Sequence, residues 1–179
     1  MLSSMDPCEA CGFHYDSLAI TDAPSALRVG AERIAEDLFS GDDSSIHTRP
    51  DPETWSVVEY ACHGRDVIIV QRERILLALV EDAPRFVPMH REQRVVHAGY
   101  DRESATEVAQ ELTSVANLAA KVITLLDDEQ LARRCFFSFP APRSRDVAWV
   151  VRHTVHEIVH HEMDVRRVRT HLMDHDVWT

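Results

Sequence analysis

The chain has 179 residues, 45% of them hydrophobic, with 19 Lys and Arg against 30 Asp and Glu and a formal charge of −11. That length and apolar content suit one domain around a single core. The negative surplus repels phosphate backbones and anionic lipid headgroups, which argues against nucleic acid or a membrane as a partner.

No stretch approaches the roughly 20 apolar residues of a membrane span. The opening Met1-Leu2-Ser3-Ser4-Met5-Asp6-Pro7 lacks the basic and apolar regions of a signal peptide, so the expected location is the cytoplasm. Cys8, Cys11, Cys62 and Cys135 are then expected as thiols, metal ligands or redox groups before structural disulfides. Five glycines fall below the roughly 7% of average usage and suit a helical protein. Of 11 histidines, six lie close to the C-terminus: His153, His156, His160, His161, His171 and His175.

In chain order, residues 1–21 form an arm and residues 22–179 the main domain. The arm carries Cys8-Glu9-Ala10-Cys11-Gly12-Phe13-His14-Tyr15. One C-x-x-C is half of a zinc ribbon or a redox pair, and no second C-x-x-C completes a four-thiolate site. Cys8, Cys11 and His14 are therefore a candidate second metal or redox site, the plainer reading being two thiols on a mobile arm. Nothing in the spacing requires the arm to join a metal site in the main domain.

The first helix is expected from about Pro24 to Phe39, where Leu27, Ala31, Ile34 and Leu38 share a face and Gly41 supplies a stop. The second follows Arg49-Pro50-Asp51-Pro52. Ser56-Val57-Val58-Glu59 reads as its capping box, and it runs to about Glu81. Ser104-Ala105-Thr106-Glu107 reads as a capping box for the third, with Val108, Leu112, Val115, Ala119, Val122 and Leu126 at helical spacing. The fourth starts after Pro140-Ala141-Pro142-Arg143-Ser144 and extends to about His171, with Val147, Val150, Val151, Thr154, Ile158, Val165, Val168 and Leu172 on one side. Only Arg94–His97 and Cys135–Phe139 carry strand signals. The pattern predicts an all-α fold, a four-helix bundle with a short N-terminal C-x-x-C arm.

The densest polar cluster runs from His153 to Asp164. Side chains at i and i+4 stack on one helix face, the geometry a metal needs from a single helix. His156-Glu157-Ile158-Val159-His160 matches H-E-x-x-H, the zinc-protease pattern. The alternative takes Glu157 and His161 as ligands, and a third reading makes them a metal-free polar pair. At about 100° per residue from Val147, the apolar stripe centres near about 350°, with His161 at about 320° and Glu157 at about 280°. His156 and His160, at about 180° and about 220°, point away from the core. A third ligand would come from another helix. His63 is the candidate, sharing a face with Val70 and Leu77, with Asp66 three residues on to orient its imidazole. Gly64 beside it suggests a close helix approach or a ligand nearby.

Trp55-Ser56-Val57-Val58-Glu59-Tyr60-Ala61-Cys62-His63 resembles the W-S-x-x-E-x-x-x-H segment of the DinB/YfiT-like superfamily. Glu157-x3-His161-x2-Asp164 is similar to the last-helix motif of its mycothiol-dependent maleylpyruvate isomerase branch, in the metal-binding N-terminal domain. The resemblance covers about residues 24–173. It implies a four-helix bundle holding a divalent metal, zinc first and nickel second, on His63, Glu157 and His161; Asp66 and Asp164 are expected behind the ligands. It also implies a transferase or isomerase that uses a low-molecular-weight thiol such as mycothiol, so a small-molecule thiol and an electrophile are the expected partners. A homodimer is among the expectations for assembly. The rival reading is a non-catalytic metal- or redox-sensing or stress-response protein.

Overall fold

The computed structural model describes residues 7–39, 43–138 and 142–176. Its helices are α1 (Ala23–Asp37), α2 (Asp43–His47), α3 (Val57–Val80), α4 (Arg91–Ala98), α5 (Ala105–Thr124), α6 (Asp128–Leu131) and α7 (Val147–Asp176). Its strands are β1 (Arg85–Phe86), β2 (Arg134–Phe137) and β3 (Arg143–Asp146).

The four long helices are the expected bundle. α1 packs on α5 and α7, and α3 packs on the same two, so α1 and α3 sit diagonally across the core. Each contributes an apolar face. Leu27, Ala31 and Ile34 from α1, Ala61 and Ile68 from α3, Leu112 and Ala119 from α5, and Val150, Val151 and Ile158 from α7 are almost wholly buried.

The Ser56 capping box forms as expected. The Ser56 hydroxyl accepts from the Glu59 N–H at 3.3 Å, and the Ser56 N–H donates to Glu59 Oε2 at 2.8 Å. Arg49 Nε donates to the same carboxylate oxygen at 2.7 Å, so the buried charge is matched. The box expected at Ser104 does not form, because Ser104 makes no side-chain cap bond. Both Ser104 and Glu107 are exposed, so water can serve the helix start. A capping box does stand at Asp127, whose side chain accepts from the Gln130 N–H ahead of α6.

Two further expectations change. Arg94–His97 lies within the helix α4 and is not a strand; Gly99, at φ +67°, ends that helix in the left-handed conformation. Arg143 and Ser144, expected in a loop, begin β3, which pairs antiparallel with β2, while β1 pairs parallel with β2. This small sheet, in the order β1-β2-β3, lies over one end of the bundle through Phe137, whose ring meets Trp149 of α7 at 4.9 Å. The stop at Gly41, the strand's end at Phe139 and the loop residues Pro140 and Ala141 lie outside the described residues.

Candidate metal centre

The helical phase of α7 sends its polar side chains to two places. His161 turns into the bundle with 5% of its surface exposed, and Glu157 stands one turn before it. From α3, across the core, His63 comes in with 3% exposure. One donor atom from each of His63, Glu157 and His161 lies within 4.8 Å of the others. His161 Nε2 is 3.9 Å from Glu157 Oε2, and the two imidazole rings meet edge to face at 4.8 Å.

The donors suit a metal. His161 Nδ1 lies 3.2 Å from Asp164 Oδ2, which leaves Nε2 directed at the centre. Nε2 of His161 and Nδ1 of His63 are buried and have no hydrogen-bond partner among the described residues. Such nitrogens are costly to bury without a ligand. Burial pushes the His63 pKa down to about 3, reinforced by His161. Burial alone would raise the Glu157 pKa, but His156, His153 and His161 around it hold the carboxyl well below its usual range. A neutral imidazole and an ionised carboxylate are the forms a divalent ion binds.

Asp66 does not stand behind His63. It accepts from Tyr100 Oη at 2.6 Å, Arg94 Nη1 at 2.9 Å and Arg65 Nε at 3.1 Å, and so ties α3 to α4 and the turn at Tyr100. Three strong donors on other residues satisfy this carboxylate more fully than one ring N–H would. Asp164 does contact its histidine.

A cavity of about 310 Å³ opens beside the cluster, lined among others by His63, Gln71, Arg74, Phe137, His153 and Glu157. Val67, Gln71 and Arg74 follow His63 on the cavity-lining face of α3. The face drawn through Val70 and Leu77 drifts by about 20° per seven residues, and Leu77 reaches the surface. Gln71, Arg74 and His153 are the residues that sequence reasoning missed. Gln71 and Arg74 carry a signal, polar residues eight and eleven positions after His63 and so two and three helical turns along the same face. The Arg74 guanidinium sits 4.9 Å from the Phe137 ring, and burial lowers its pKa to about 10, so it stays cationic at neutral pH. Burial brings His153 down to about 4, and the Tyr15 hydroxyl lies 2.9 Å from its Nδ1.

The second place is the outer face of α7. His156 and His160 leave the core as their phase predicts, but the arm covers them. Cys8 and Cys11 approach both, with Cys8 Sγ 3.6 Å from His160 Nδ1. His14 is exposed and stands outside this group, because the turn after Gly12 carries it away. The H-E-x-x-H histidines thus face two thiols in place of the open cleft that a zinc protease needs. Cys62 and Cys135 are buried, and burial pushes their thiols up to about 12 and about 11, which marks them as core residues.

The sequence profile of the DinB superfamily matches residues 26–162. The chain belongs to the DinB superfamily. Among solved structures this DinB chain is similar to YfiT from Bacillus subtilis, described as a probable metal-dependent hydrolase with an unusual four-helix bundle topology. The TM-score is 0.72 at 17% identity, covering 93% of this chain and 94% of that one. It is also similar to a mycothiol-dependent maleylpyruvate isomerase, with a TM-score of 0.65 at 13% identity over 84% of this chain and 62% of the isomerase. At such identities the likeness is one of fold. No curated protein matches the sequence. Among the described residues, no helix is long and apolar enough to cross a membrane.

Proposed function

We propose that this DinB chain is a divalent-metal enzyme whose His63, Glu157 and His161 hold the ion, zinc before nickel. In this reading it joins a low-molecular-weight thiol of the mycothiol type to an electrophile, by S-transfer or thiol-dependent isomerisation. The observation that carries the reading is the cavity of about 310 Å³, which opens on His63 and Glu157 and leaves one side of the ligand set free. A divalent ion so placed supplies a lowered pKa to a bound thiol or water.

The chain's own residues do the rest. Asp164 fixes the His161 ring so that Nε2 faces the centre. Arg74, cationic against the Phe137 ring, suits an anionic group on the thiol or the electrophile. His153, neutral at physiological pH, gives the cavity an uncharged polar wall beside Glu157. The Tyr15 hydroxyl holds that ring in place.

A cobalt-substituted protein tests this, in a Cys8→Ser/Cys11→Ser background that removes the arm's thiols. Adding mycothiol is expected to produce a sulfur-to-cobalt charge-transfer band, lost when His63 or His161 becomes alanine. A fully cobalt-loaded site that gives no band with any small thiol would overturn the thiol reading. The arm's thiols against α7 favour one rival, a non-catalytic metal or redox sensor. That rival predicts no turnover of any thiol and electrophile pair, and a partner protein whose binding follows the oxidation state of Cys8 and Cys11.

A further inference from the structure

We propose that the chain carries a second metal site, in which Cys8, Cys11, His156 and His160 form a closed Cys2His2 zinc centre that ties the N-terminal arm to α7. It does not depend on the thiol chemistry proposed above. The four residues read as C-x2-C in the arm and H-x3-H on one helix, the spacing from which structural zinc sites are built. Two thiolates and two imidazoles are a donor set that selects zinc over the hard divalent cations. One donor atom from each of the four lies within 4.8 Å of the others.

The geometry agrees with that ion. With zinc–sulfur and zinc–nitrogen bonds of about 2.3 Å and about 2.1 Å at a tetrahedral angle, sulfur and nitrogen stand about 3.6 Å apart. Cys8 Sγ and His160 Nδ1 are separated by 3.6 Å.

Each imidazole also has a carboxylate close to its other nitrogen, as ligating histidines commonly do. His156 Nδ1 is 3.1 Å from Glu157 Oε1, and His160 Nε2 is 3.7 Å from Asp164 Oδ2. His156 is 9% exposed, and both of its ring nitrogens are buried with no hydrogen-bond partner among the described residues. A buried imidazole nitrogen left in this state needs a ligand.

The arm is shaped for the same purpose. The Gly12 N–H donates to the Cys8 carbonyl at 2.7 Å and the Cys8 N–H to the Phe13 carbonyl at 3.0 Å, closing a tight loop that turns at Gly12 with φ +70°. Four protein donors leave no open position, so the site is structural. Its effect on the cavity is indirect. The anchored arm sets Tyr15 against Trp149 at 5.9 Å and against His153, the cavity wall.

Metal analysis of the full chain, purified without an affinity tag under reducing conditions, tests the proposal. Native mass spectrometry should find two zinc ions in the wild type. One is expected in Cys8→Ser/Cys11→Ser and in His160→Gln, one in His63→Ala, and two in His14→Ala. In cobalt-substituted protein without added thiol, the sulfur-to-cobalt band should persist in His63→Ala and vanish in Cys8→Ser/Cys11→Ser. Circular dichroism of each variant guards against misfolding, and proteolysis should cut the arm in Cys8→Ser/Cys11→Ser but spare it in His63→Ala. One ion in the wild type that Cys8→Ser/Cys11→Ser retains would overturn the proposal, as would a Cys8–Cys11 disulfide in the reduced preparation. If His63→Ala alone loses no metal, the first site fails and the second stands.

Discussion

Two glycines of the bundle face the same side chain and should respond in opposite ways to one added methyl. Gly30 on α1 and Gly64 on α3 both pack against Ile158, the residue after Glu157, so this contact sets how α7 presents its carboxylate. A Cβ at Gly64 would meet Ile158 Cδ1 at 3.5 Å and the Cδ1 atoms of Ile34 and Leu112 at 4.0 Å, which is ordinary contact. Gly64→Ala should therefore gain helix propensity, about 1 kcal/mol, and raise Tm by about 2–4 °C for a chain of this size. A Cβ at Gly30 would lie 2.7 Å from Ile158 Cγ2. That atom belongs to a branched side chain rooted in a buried helix and cannot swing aside. A contact that close puts overpacking at the upper part of its usual range, about 2–3 kcal/mol, which outweighs the propensity gain of about 1 kcal/mol, and Gly30→Ala should lose about 1–2 kcal/mol and about 2–8 °C. The assay is thermal and urea unfolding by circular dichroism on metal-free protein, so that ligand linkage does not contribute. In an Ile158→Ala background the Cγ2 atom is gone, and Gly30→Ala should become neutral or favourable, a coupling that a double-mutant cycle reads directly. A Gly30→Ala protein as stable as wild type, or the same loss with Ile158 truncated, would refute the packing argument. The sequence reading of Gly64 as a mark of close helix approach thus belongs to Gly30.

Asp164→Asn should weaken metal binding at the bundle site by about 10–100-fold, the usual effect of losing a carboxylate behind a ligating histidine, measured by competition with a chelating dye. His161→Ala should remove that metal outright, whereas His14→Ala should change no metal content. Asp66 is held below its ordinary value of 3.8: burial alone would raise it, but Tyr100, Arg94 and Arg65 together lower it. A depressed folded-state pKa gives stability that is present above pH 3.8 and lost as pH falls toward the lower folded value. Asp66→Asn should therefore cost about 1–3 kcal/mol near neutrality and flatten the acid limb of the stability profile, which urea titrations between pH 2 and pH 7 would show. Tyr15→Phe should leave both metals in place while loosening His153, visible as a change in that imidazole's NMR titration.

Much of this protein is legible in its residues because the information is local. Period and capping chemistry place α1, α3, α5 and α7, and the phase of α7 alone separates His161 and Glu157, which turn inward, from His156 and His160, which do not. The same periodicity cannot say what lies opposite each face. The partner of His156 and His160 is the arm, nearly 150 residues away along the chain, and only the folded arrangement substitutes those two histidines for His14 beside Cys8 and Cys11. Asp66 reads as a neighbour of His63 because it is three residues on, yet Tyr100, Arg94 and Arg65 claim it once α4 packs against α3. The cavity walls are tertiary for the same reason. Arg74, Phe137 and His153 come from three separate elements, and nothing in the spacing within any one of them brings a guanidinium, a phenyl ring and a neutral imidazole around His63. Secondary structure follows from interactions a few residues apart, whereas a site depends on which faces meet, and that is decided by packing of the whole core.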